Sequence, residues 1–176
     1  MTIAEALRPA GYTTLMAGKW HVGSAQGRWP LDRGFDRYFG TPTGGGVYFK
    51  DSLKIRIEVF LVEDVKRFEF PDDGYVTDVF TDHAIRFVRD AAASDRPFFL
   101  YLAHIAPHWP LQALPDDITK YEGRYDLGWD TVREARYQRQ VEMGLIDPQW
   151  PLSPRDPEAG PWSDLSDDER AERARR

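Results

Sequence analysis

"GYVTDVFTDHAIRFVRDAAAS" (residues 74–94) leads almost directly into "RPFFLYLAHIAP" (96–107), and the change of period between them decides the fold class. In the first stretch Val79, Phe80, Ile85, Phe87 and Val88 recur at helical spacing. That pattern predicts an amphipathic helix beginning near Thr77. In the second the apolar residues fall on both faces, which predicts a buried central strand. A helix delivering the chain to a buried strand is the grammar of an α/β sheet with helices packed on it.

Upstream, "TIAEALRPAG" (2–11) predicts a short helix. Thr2 and Glu5 form a capping box, Pro9 limits its length, and Gly11 caps its C-terminal end. "YTTLMAGKW" (12–20) follows as a strand rich in β-prone residues. Residues 24–50 read as loop, punctuated by Gly27, Pro30, Gly34, Gly40, Pro42 and the run Gly44-Gly45-Gly46. Within it "GFDRYFG" (34–40) reads as an ordered excursion. "KIRIEVFLV" (54–62) alternates Ile55, Ile57, Val59 and Leu61 on one face, the pattern of a strand.

Downstream, a charged helix is predicted from about Asp130. Residues 147–162 form a proline-rich connection, and a last helix starts at the Ser166–Glu169 cap. Its acidic start and basic end suit the helix dipole. Two core strands and one peripheral strand are fewer than the five or so of an average sheet. The chain, 1–176, therefore reads as one partial α/β domain, part of something larger. A sheet short of strands exposes apolar edges, so poor solubility is expected of it.

Composition sets the outer bounds. Apolar residues make up 41% and aromatic residues 14%, ample for a core. Lys and Arg number 23 against 29 Asp and Glu, a net charge of −6, which argues against a nucleic-acid partner. No apolar run is long enough for a membrane span. The first residues lack the basic and apolar regions of a signal peptide, so none is expected. With no cysteine, disulfides, thiolate ligation and a cysteine nucleophile are excluded from these residues. The compartment and the oligomeric state leave no signature.

The candidate chemistry sits where strands end. In "GKWHVG" (18–23) Lys19 and His21 share one face if the strand continues through them, and two cations side by side call for an anion between them. An anion site at a strand's C-terminal end, where α/β sheets hold ligands, is one reading. The other is a snorkelling lysine beside a hydrogen-bonded histidine. His108, in "AHIAPHWPL" (103–111), lies just past the buried strand, either at that same edge or simply packed beside Trp109. His104 and His108 have the spacing of a zinc pair on a helix, but Pro107 and Pro110 exclude a helix there. His83 is assigned no role, and Ser153 reads as part of a turn.

Taken together, four segments resemble the sulfatase family in the right order. "AEALRPAGYTTLMAGKWHVG" (4–23) is similar to the family's second signature, a Gly-Tyr, a short run and then Gly-Lys-Trp-His-x-Gly. "RPFFLYLAHIAPHWPLQAL" (96–114) resembles its other histidine-bearing strand end. "GFDRYFG" (34–40) and "KYEGRYDLGWDTVREARYQRQVEMGLID" (120–147) are similar to parts of bacterial-type arylsulfatases. The resemblance weakens only between residues 46 and 74.

The resemblance implies a partial alkaline-phosphatase-like fold, a mixed central sheet flanked by helices, and hydrolysis of a small-molecule sulfate ester. It further implies calcium and a formylglycine nucleophile made within Cys/Ser-x-Pro-x-Arg. Lys19 would hold the sulfate and the nucleophile's hydroxyl. His21 would be the base that breaks the sulfated hemiacetal, and His108 would meet the leaving oxygen and protonate it. The nucleophile motif does not occur here: Ser153 is followed directly by Pro154, and no arginine falls in register. The metal ligands are expected before residue 1 and after residue 176, so no metal site is expected in this chain, and the chain alone is expected to be inactive. A phosphate or phosphonate monoester hydrolase of the same superfamily, a non-catalytic truncated product, and a partner chain supplying the missing parts are the alternatives.

Overall fold

A computed structural model of the protein describes residues 1–25, 27–44, 48–51 and 59–174. They form two compact units, residues 1–113 and 114–176.

The first unit is built on a five-stranded mixed sheet. Its strands are β1 (Thr13–Lys19), β2 (Arg37–Thr41), β3 (Leu61–Glu63), β4 (Lys66–Phe68) and β5 (Phe98–Ala103), in the order β4-β3-β2-β1-β5. Parallel pairing joins β1 to both β2 and β5, whereas β3 and β4 are added antiparallel. The short helix α1 (Ile3–Leu7) starts at the predicted capping box, with the Thr2 hydroxyl accepting from the Glu5 amide at 3.0 Å and the Glu5 carboxylate from the Thr2 amide at 2.7 Å. Helix α2 (Val76–Ala92) begins one residue before the position predicted. Its buried stripe is Val76, Phe80, Ala84, Phe87 and Ala91, and Ile85 is turned to solvent instead.

The sheet has a core on each face. Leu15, Phe39 and Leu61 pack with Phe80 and Phe87 of α2 on one, and Met16, Tyr38 and Val62 pack with Ala4 of α1 and with Trp20 on the other. Successive strand residues point to opposite faces, so the run Leu15-Met16-Ala17 serves both cores and is buried throughout. His83 of α2 lies flat on Phe39 at 3.4 Å between ring centroids, a packed histidine.

Three features depart from the sequence reading. β2 is the middle strand, and β1 lies inside the sheet between β2 and β5. β5 lies at the edge of the sheet, with Tyr101 46% and Leu102 38% exposed. None of its six residues is buried, so its apolar run reports neither a central position nor covered faces. The segment read as an excursion supplies β2, which pairs along β1 from Leu15↔Arg37 to Lys19↔Thr41. Gly40 hid it, because glycine weakens a strand reading, yet here only glycine fits: a Cβ would sit 1.8 Å from the Gly18 carbonyl oxygen. Of the strand predicted over 54–62, residues 54–58 lie outside the described residues, and strand is found at Leu61–Glu63.

The second unit contains α3 (Pro115–Thr119), α4 (Gly128–Glu142) and α5 (Asp167–Ala174). Its proline-rich segment folds back on α4: Arg155 pairs with Asp130 at 2.8 Å, and Tyr137 donates to the Trp150 carbonyl at 2.6 Å. The predicted Ser166–Glu169 cap is present, with the Ser166 amide donating to the Glu169 carboxylate at 2.8 Å. No helix among the described residues is long and apolar enough to cross a membrane.

Candidate anion site at the C-terminal edge of the sheet

Parallel pairing brings the ends of β2, β1 and β5 to one edge, where Thr41, Lys19 and Ala103 are the last strand residues. The end of β1 is held rigidly. Gly18 approaches β5 so closely that a Cβ would sit 2.0 Å from the Ala103 carbonyl oxygen. The Tyr38 hydroxyl donates to the Gly18 carbonyl at 3.1 Å, and burial pushes its phenol far above the usual range, so it remains a donor. The Trp20 amide donates to the Thr41 carbonyl at 3.0 Å, and its indole N–H to the Arg28 carbonyl at 2.9 Å.

Lys19 therefore stands at the end of a fixed strand. It is partly buried, and among the described residues its ammonium has neither a hydrogen-bond nor an ion-pair partner. The strand stops there, and His21 takes a left-handed backbone with φ +51°. Strand alternation thus does not set the direction of His21. Its ring is set instead by Gly44: a Cβ on Gly44 would fall 2.3 Å from Nε2 and 2.6 Å from both neighbouring ring carbons. The only signal for this contact was the glycine run after β2, read from sequence as loop. Thr41 and Thr43 share a hydroxyl–hydroxyl bond of 3.0 Å in the same turn.

Past β5 the chain leaves the edge through His104. Its Nδ1 is buried without a hydrogen-bond partner among the described residues, although the side chain as a whole is only half-buried. His108 follows on an exposed turn closed by its amide donating to the Ile105 carbonyl at 2.9 Å. The buried Tyr48 hydroxyl donates to the His108 carbonyl at 2.7 Å and fixes the turn to the core. Burial and the neighbouring Tyr75 keep the Tyr48 phenol protonated, above its usual range. The three residues singled out from sequence thus lie on segments that leave adjacent parallel strands at one edge.

Known proteins resemble the chain throughout this region. A profile of the family described as Sulfatase matches residues 1–165. The arylsulfatase of Klebsiella aerogenes is 37% identical over 155 residues, covering 86% of this chain and 33% of that protein. The N-acetylgalactosamine-6-sulfatase of Rattus norvegicus is 37% identical over 141 residues, covering 75% of this chain and 26% of its own. Among solved structures, Ps i-CgsB in complex with k-i-k-neocarrahexaose superposes with a TM-score of 0.60 at 34% identity, over 68% of this chain and 29% of that one. The chain spans about a third or less of the length of these relatives.

Proposed function

Because this chain belongs to the sulfatase family, we propose that it carries the oxyanion-binding and proton-transfer edge of a sulfate-monoester hydrolase. The observation that carries the reading is Lys19, a cation at the end of an interior parallel strand with no partner among the described residues, in a chain that holds 29 Asp and Glu carboxylates. An ammonium left unpaired in such a chain is suited to an external anion. A sulfate monoester brings the single negative charge that offsets it.

The chemistry assigned to the edge is charge stabilisation and proton transfer. Lys19 holds the non-bridging sulfate oxygens. As the sulfur–oxygen bond to the alcohol breaks, charge moves onto the leaving oxygen, and His108 supplies the proton that makes it a neutral alcohol. The sulfuryl group passes to a nucleophilic oxygen that these residues do not supply, and His21 takes the proton that this nucleophile gives up. Histidine exchanges protons near neutral pH, and groups fixed before the reaction need no reorganisation during it. The left-handed backbone at His21, which costs about 1–2 kcal/mol in a non-glycine residue, fits such a fixed position. The names of the relatives support an aryl or sugar alcohol as the leaving group.

Calcium and formylglycine do not fit the residues present. Among the described residues no three histidines or carboxylates converge on a point that would hold a metal ion. The chain has no cysteine, and Ser153, in the second unit, accepts a hydrogen bond from Arg133 at 2.8 Å. Neither group is assigned to residues of this chain.

The test is turnover of a chromogenic aryl sulfate, with and without calcium, by the purified protein beside its Lys19→Ala variant. The expected result is no turnover above the variant. Calcium-dependent turnover abolished by Lys19→Ala would put the nucleophile within these residues and overturn the division of labour proposed here.

A further inference from the structure

We propose that the second unit, residues 114–176, carries a binding groove of its own for a ring-shaped ligand bearing oxyanions, the chemistry of sulfated and uronate saccharides. The groove encloses about 810 Å³, within the roughly 300–1,000 Å³ of small-molecule sites. Trp129, Arg133 and Arg136 of α4 line it, and their spacing puts them on one helix face. The folded-back proline-rich segment and Arg173 of α5 complete the lining.

Its charges are unbalanced. Four arginines face two carboxylates, and both carboxylates are occupied. Asp130 accepts from Arg155 at 2.8 Å and from the Trp162 amide at 2.9 Å. Asp156 accepts from the Glu158 amide at 2.9 Å. Arg133 donates only to oxygens of Ser153 and Pro154; it forms no ion pair among the described residues, although its charge helps to lower the Asp130 carboxyl. Arg173 sits over the Trp129 ring at 5.8 Å. Arg136 is exposed and has no partner among the described residues. Three guanidinium groups that form no ion pair among the described residues, in a chain of net charge −6, make a local anion site, although Arg133 and Arg173 also act on the Asp130 and Glu169 carboxyls. Planar guanidinium forks match sulfate and carboxylate geometry.

The aromatic part gives the ring preference. Trp129 and Trp162 meet edge to face at 4.7 Å. Trp162 lies so close to Gly128 that a Cβ there would fall 2.2 Å from its ring, which fixes the indole as a rigid wall. Both indoles are partly exposed. Rigid aromatic surface beside unpaired arginines suits a ring that has an apolar face and anionic substituents.

The experiment is calorimetric titration of the whole chain with a heparin-derived hexasaccharide, a hyaluronan hexasaccharide and a neutral dextran oligosaccharide, with tryptophan fluorescence followed in parallel. Saturable binding of one or both charged saccharides, weakened at least tenfold in Arg136→Glu and persisting in Lys19→Ala, supports the groove. Which of the two binds identifies sulfate or carboxylate as the recognised group. Arg136→Ala, with circular dichroism matching the parent chain, guards against a folding artefact. No binding, equal binding of dextran, or binding lost in Lys19→Ala but intact in Arg136→Glu would overturn it.

Discussion

The His21 ring and the Gly44 backbone occupy adjoining space with no room for a methyl group, since a Cβ on Gly44 would lie 2.3 Å from His21 Nε2. The histidine is thus positioned by a glycine 23 residues further along the chain.

Gly44→Ala is therefore predicted to displace the imidazole while leaving both cores intact. Sulfate affinity should fall about tenfold, or ~1.4 kcal/mol, and urea unfolding should be little changed. Unaltered histidine resonances in Gly44→Ala would disprove the contact.

Acid stability depends on the cluster between β3 and α2. Burial holds His83 below its ordinary 6.5 despite the bond to the Val79 carbonyl and the nearby Glu63 and Asp82 carboxylates, with the Arg86 charge reinforcing the drop. Above 6.5 the folded and unfolded states are both neutral here. As the pH falls below 6.5 the unfolded chain takes up the proton first, so stability is lost from there down through the lowered native value. Burial would raise Glu63, but its bond to Arg86 at 2.7 Å and the charges of Arg86, His83 and Arg37 bring it below 4.5. Its contribution is lost only at still lower pH. Urea midpoints measured from about pH 7 to pH 5 should fall for the parent chain and stay flatter for His83→Gln. A midpoint that rises with acidity would contradict this.

The exposed edge of β5 carries Tyr101 and Leu102, and among the described residues no strand pairs with that side. Such an edge recruits other strands. The chain should associate as its concentration rises, and Tyr101→Lys should reduce that association in sedimentation experiments. A parent chain that stays monomeric at high concentration would show that the edge is protected.

The sequence disclosed the parts that depend on local rules. The caps of α1 and α5, the period of α2 and the apolar run of β1 each have a cause within a few residues. Three things depended on distant neighbours. β2 owes its strand to a close approach between Gly40 and Gly18, the edge position of β5 to strand order, and the direction of His21 to Gly44. Lys19 was legible as a strand-end cation. That no carboxylate among the described residues pairs with it became visible only once the acidic residues had their own places.

The central claim is that the β1 edge binds a sulfate through Lys19. Titrating the protein with inorganic sulfate while following its histidine side-chain resonances by NMR tests it most directly. The account predicts saturable shifts of His21 and His108 that weaken at least tenfold in Lys19→Ala. Shifts that are absent, or equal in the variant, would contradict it.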